Sequence, residues 1–197
     1  MPNHSNKIDM TTMTSFAAIA SLPPSAPSAA KEAPPLHQIP TGPWTIHVHE
    51  TEETKWGPES YKQLHVAASW EELGAVLREL GPTRILNTMI FGMRGSRPPR
   101  WENKENIGGG SYSFVIDRRK AVEVYQLYLA AAATDSASLN TANKIVGVTM
   151  SPKKRHCVIK LWNASSKDFN KPTDIAILHE DIRTEEIVYV RNTDRKM

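Results

Sequence analysis

One cysteine, Cys157, is all the chain has, so it holds no intrachain disulfide framework and suits a reducing compartment. No apolar run approaches the roughly 20 residues needed to span a bilayer. The N-terminal stretch Phe16-Ala17-Ala18-Ile19-Ala20 is too short for the apolar core of a secretory signal, and the arginines of a transit peptide are missing. The chain also lacks an HExxH, a CxxC and a P-loop, the signatures of several metal, redox and phosphate chemistries. Charge of neither sign dominates. Lys and Arg number 24 against 21 Asp and Glu, a net +3 that is compatible with an anionic ligand but far from a polycation. No internal repeat is present. These absences lead us to expect a soluble, non-membrane protein of the cytosol, with the nucleus also open.

The 197 residues suggest one domain and a tail. Residues 1–38 are rich in Ala, Ser, Thr and Pro and have few large apolar side chains. They cannot bury enough surface to offset their ordering entropy, so a disordered tail is expected there, with a folded domain over 39–197. Alternation predicts strands at 44–49, 61–66, 85–91, 111–117, 145–150, 157–162 and 187–191. Ser69-Trp70-Glu71-Glu72 is a capping-box pattern. Leu73, Leu77 and Leu80 follow at helical spacing, and Gly81-Pro82 stops that helix. A second helix is predicted from Arg118 to about Ala133, and a third near 167–170, continuing from Thr173 to about Asp181. Strands without βαβ regularity, plus separate helices, indicate an α+β fold with a largely antiparallel sheet. Helices can cover one face of such a sheet and leave the other free for a ligand.

Three groups of residues carry chemistry. Trp101-Glu102 follows the turn Arg97-Pro98-Pro99-Arg100 and precedes Asn106 and Gly108-Gly109-Gly110. An indole can stack on a base, and only guanine presents N1–H and N2–H₂ as adjacent donors to a carboxylate. Trp56 lies in a loop-like context, Thr54 to Pro58, and the two rings could sandwich one base. A 7-methylguanine would add cation–π attraction. The triple glycine lacks the lysine and hydroxyl of a P-loop and is expected to be a turn with positive φ. The basic segment Lys153-Lys154-Arg155-His156 leads into a strand. There Cys157, Ile159 and Leu161 should face the core, while Val158, Lys160 and Trp162 share the other face.

Taken in order, Trp56, a capped helix, Trp101-Glu102 with Asn106 and Gly108-Gly109, a helix, Lys153/Arg155 and Trp162 resemble the eukaryotic translation initiation factor 4E family. The resemblance covers nearly all of 40–191 and identifies the chain as a compact, divergent member of that mRNA cap-binding family. It implies a curved antiparallel sheet, helices on its convex face and the 7-methylguanosine cap in the concave side. Trp56 and Trp101 would sandwich the base, Glu102 would read its edge, and Trp162 would pack on the methyl group. Lys153, Arg155 and Lys160 would meet the triphosphate. A third basic position of the family falls on Val158, and a partner-binding tryptophan falls on Gly74. Trp70, Leu73, Gly74, Leu77, Leu129 and Ala133 remain as candidate contacts for a 4G-type scaffold or a 4E-binding regulatory protein. The C-terminal loop after the last strand is short by comparison. No cofactor, metal or catalytic residue is implied. A cap-binding repressor or storage factor is an alternative. A cap-directed phosphohydrolase using Glu102 and Glu105 is another, for which the chain has no Glu-rich box.

Overall fold

The computed structural model describes residues 36–195; of the tail expected over 1–38, residues 1–35 lie outside them. Seven strands form one curved sheet: β1 (Trp44–Glu50), β2 (Lys62–Ala67), β3 (Thr88–Arg94), β4 (Gly110–Asp117), β5 (Ile145–Pro152), β6 (His156–Asn163) and β7 (Val188–Arg191). Their order is β2-β1-β3-β5-β6-β4-β7, and each pairing is antiparallel. Two helices, α1 (Trp70–Ile85) and α2 (Ala121–Ala133), complete an α+β fold.

The capping box forms as its spacing requires. The Glu72 amide donates to Ser69 Oγ at 3.3 Å, and Glu72 Oε2 accepts from the Ser69 and Ala68 amides at 3.0 and 2.7 Å. The backbone leaves helical geometry at Gly81 (φ 66°, ψ 161°), where the Gly-Pro pair was expected to stop it. One further turn then carries Ile85 into the core, so β3 begins at Thr88 rather than at Ile85. The start of α2 also moves, to Ala121, because the Asp117 carboxylate accepts the Arg119 amide at 2.8 Å and holds a turn ahead of it.

The third predicted helix does not form. Pro172–Asp174 makes a single 3-10 turn. Beyond it the backbone pairs with residues 137–139 instead of with itself: the Leu139 amide donates to the Asp174 carbonyl and the Ala176 amide to the Ala137 carbonyl, each at 3.0 Å. Ser138 Oγ adds a 2.6 Å bond to the same Asp174 carbonyl. Tertiary partners outbid weak local propensity here.

The sheet's two faces differ. Ile46, Val48, Ile90, Val148, Met150, Ile159 and Leu161 are fully buried on one side. They join Leu73, Tyr125, Tyr128 and Leu129 of the helices in the main core. Each large side chain so buried contributes about 1.5–3 kcal/mol. Gly92 permits this approach, since a Cβ there would stand 2.6 Å from Leu129 Cδ1. The opposite face carries a smaller cluster, Phe91, Met93, Val146 and Trp162, with Tyr61, Met89 and Trp101 packed on it.

The triple glycine does not serve a left-handed turn, for positive φ occurs at Gly42, Gly81 and Gly95 instead. Close approach is the reason for Gly109 and Gly110. A Cβ on Gly109 would lie 2.0 Å from the Asn163 carbonyl oxygen, and one on Gly110 would lie 2.3 Å from the Tyr189 hydroxyl. Buried Asn163 binds this corner together. Its Oδ1 accepts from the Gly110 amide at 2.9 Å and from Tyr189 Oη at 3.0 Å. Its Nδ2 donates to the Ser165 and Phe169 carbonyls at 2.7 and 2.8 Å.

Candidate functional site

The face away from the helices holds a pocket of about 490 Å³. Trp56, Trp101, Glu102, Trp162, Lys153 and Lys160, scattered over more than a hundred positions of sequence, all line it. Arg155 does not. The Lys153 amide donates to the His156 carbonyl at 2.8 Å and closes a tight β5–β6 turn, which leaves Lys154 and Arg155 exposed at its tip. Glu105 is also outside the pocket lining.

Trp56 sits on the loop after β1, and 53% of it is exposed. Its indole stacks on the His49 ring, with centroids 4.2 Å apart and planes 10° off parallel. The His49 Nε2 lies 3.1 Å from the Lys55 carbonyl, which can only accept, so Nε2 carries the proton. Alternation along β1 puts Thr45, His47 and His49 on this face. That parity was the available signal for His49, and its stack with Trp56 could not be read from it.

Trp101 is held by its loop. Asn106 Nδ2 donates to the Pro98 and Arg100 carbonyls, each at 2.8 Å, closing the turn around the indole. The Glu102 Oε1 accepts from Arg100 Nε at 2.7 Å, and Arg100 Nη2 contacts the same oxygen. Among the described residues nothing hydrogen-bonds Oε2, so this oxygen is available to a donor in the pocket. Burial pushes the Tyr61 hydroxyl up to about 12, and the nearby Glu102 charge pushes in the same direction. Trp162 is nearly buried in the floor with its Nε1 unpartnered. Its cross-strand neighbour is Gly147, where a Cβ would stand 2.7 Å from Met93 Sδ, so the glycine makes room for Met93 of the same cluster.

Lys160 follows on the same face of β6, with Thr149 and Ser113 as its cross-strand neighbours. Burial holds its ammonium below the usual lysine range, and the charges of Arg195 and Lys153 add to the effect. Arg195 is a pocket residue that sequence reasoning missed. It follows a 3-10 turn (Asn192–Asp194), places its guanidinium 5.9 Å from the Trp101 ring centroid, and donates from Nη2 to Ser111 Oγ at 2.7 Å. Nothing in a lone arginine after the last strand marks it as a pocket residue.

On the helical side, Trp70, Leu73, Gly74, Leu77, Val122 and Leu129 line a groove of about 480 Å³. Leu129 is fully buried at its floor. Arg78 Nη1 lies 3.0 Å from where a Gly74 Cβ would be, so the guanidinium fills the space above the glycine. Ala133, expected among the partner contacts, is fully buried outside this groove, and its carbonyl accepts from Thr41 Oγ1 at 2.9 Å.

Solved structures share this architecture. Ascaris suum eIF4E-3 with an m2,2,7G cap matches at 19% identity and a TM-score of 0.58, over 68% of this chain and 77% of that one. A schistosome eIF4E complexed with m7GpppG and 4E-BP matches at 17% and 0.59, over 68% and 75%. C. elegans eIF4E-3 with the 4E-binding protein Mextli and a cap analog matches at 16% and 0.59, over 67% and 76%. At these identities the likeness is one of fold. The family assignment comes from the sequence model of eukaryotic initiation factor 4E, which matches residues 41–196. With that match over most of its length, the chain belongs to the eukaryotic initiation factor 4E family.

Proposed function

We propose that this protein binds the 7-methylguanosine 5′ cap of mRNA without chemically altering it, and does so in the cytosol as part of translation initiation. One observation carries the reading: the exposed ring of Trp56, the ring of Trp101 and the free Oε2 of Glu102 meet in a single pocket. A cationic purine entering there gains aromatic contact from both indoles, while Glu102 accepts N1–H and N2–H₂. Its Oε1 is already oriented by Arg100, so the carboxylate arrives preorganised. Trp162 supplies the apolar floor for the methyl group.

Retention on immobilised 7-methylguanosine triphosphate tests this. Wild-type protein is retained. Trp101→Ala and Glu102→Gln elute early, the lost stack costing about 1–3 kcal/mol. Wild-type protein in the flow-through refutes the proposal.

The helical groove supports a second contact, with a 4E-binding protein or a 4G-type scaffold whose apolar side chains would cover Trp70, Leu73, Leu77 and Val122. Gly74 and the Arg78 guanidinium above it favour the reading of a repressor or storage factor whose scaffold contact is altered. Mixing the purified protein with a scaffold peptide and with a 4E-binding peptide, and measuring which one binds, separates initiation from repression.

A further inference from the structure

The positive charge of the pocket is only partly where the sequence placed it. Arg155 has left, Val158 carries no charge, and Lys160, Arg195 and Lys153 remain on the lining. Neither acid of the pocket pairs with them. Glu53 Oε1 accepts the Lys55 amide, and Glu102 is held by Arg100. We propose that Lys160 and Arg195 form a seat for one phosphate group, the one nearest the base, so that this chain grips the first phosphate of its nucleotide strongly and the later ones weakly. The inference rests on the cap-binding reading above and assigns Arg195 a ligand contact.

Three observations support the seat. Residues 158, 160 and 162 share one face of β6, so Lys160 stands about 7 Å from the Trp162 position, beside the base rather than far along the chain of phosphates. Arg195 is preorganised. The turn before it is pinned by the Asn192 amide on the Gly109 carbonyl (3.0 Å) and by Asn192 Nδ2 on the Asn106 carbonyl (2.8 Å), the same Asn106 that closes the Trp101 loop. Finally, two buried donors on this lining lack partners among the described residues, Arg195 Nε and Thr149 Oγ1, and Thr149 is the cross-strand neighbour of Lys160. An anion there satisfies groups that are otherwise costly to bury.

Past Lys160 the same face offers no cation at the next position of β6, where Val158 stands between Val115 and Ser151. Val115 is 56% exposed. Among the described residues Lys153 is the one further cation of the lining, and it is solvated. An exposed charge of that kind adds little.

Tryptophan fluorescence titrated with 7-methylguanosine and with its 5′-mono-, di- and triphosphate tests the seat. The first phosphate should tighten wild-type binding about tenfold or more, and each later one by less than about threefold. Arg195→Gln and Lys160→Gln should erase most of the first step, read within each variant as the ratio of its monophosphate affinity to its nucleoside affinity. Lys154→Gln, at the loop tip, should leave every step intact. Equal steps for all three phosphates, or a first step that survives in both variants, overturn the seat. Melting with inorganic pyrophosphate separates this from the cap reading. If no nucleoside or nucleotide binds but pyrophosphate raises the melting temperature of wild type and not of Arg195→Gln, the seat stands and the base reading fails. If neither ligand class binds, both fail.

Discussion

The two faces of this sheet are built from alternate residues of the same strands, yet they do opposite things. Toward the helices, β1 sends Trp44, Ile46 and Val48, all fully buried and packed. Toward the pocket it sends Thr45, His47 and His49, and there polar atoms go unpartnered: His47 Nδ1, His49 Nδ1, Thr149 Oγ1 and Trp162 Nε1. Burial also keeps the His47 ring below the ordinary histidine range. A face that commits nearly all its apolar surface to packing, with Tyr125 Oη and Arg94 Nε as its unpartnered buried atoms among the described residues, yields stability. A face that leaves donors and aromatic surface uncommitted has something to offer a ligand.

The contrast can be broken from either side. Leu129→Ala hollows the helical core where Leu129 fills the space over Gly92, and should cost about 3 kcal/mol in denaturant unfolding. The folded fraction should still quench normally with nucleotide, since Leu129 is not part of the pocket lining. Asn106→Ala acts on the other side. It removes both clamps on the Trp101 loop but keeps the backbone carbonyl that receives Asn192, so stability should fall by only about 1–2 kcal/mol while fluorescence quenching weakens markedly. Equal losses in the two measurements would mean that the loop is ordered by the core rather than by its own bonds.

A smaller effect sharpens the helical side. Burial alone would raise the Asp135 carboxyl. Hydrogen bonds from Arg94 and Lys144 outweigh that, and the group ends below the usual aspartate range. Its contribution is therefore present above the unfolded value and lost as pH falls through the lower folded one. Asp135→Asn should cost about 1 kcal/mol at pH 7, and the gap from wild type should narrow progressively as pH falls below about 4. A gap of constant size from pH 7 down to pH 2 would mean packing, not charge, is what Asp135 supplies.

How far the sequence could be read follows the same division. Where a rule acts within a few residues, it was legible. The Ser69 capping box, the Gly81 break, the alternation that puts Ile159 and Leu161 inside and Lys160 and Trp162 opposite all depend on neighbours in the chain. The segment after Pro172 misled because its backbone partners, residues 137–139, lie over thirty positions away. Arg155 misled for a related reason: charge composition marks a loop as basic, but the register of the hairpin decides which of its residues look into the pocket.

By itself, the sequence determined the strands, the two helices, the core face of each and which aromatic and acidic side chains stand outside the core, because period, caps and side-chain chemistry are local properties. Tertiary structure alone decided that His49 stacks beneath Trp56, that Arg195 crosses from the end of the chain to Trp101, and that Gly109 and Gly110 are glycines for want of space. The last two are contacts between segments distant in sequence, and the first depends on the path of a loop that no local rule sets, so nothing in either partner taken alone specifies the other.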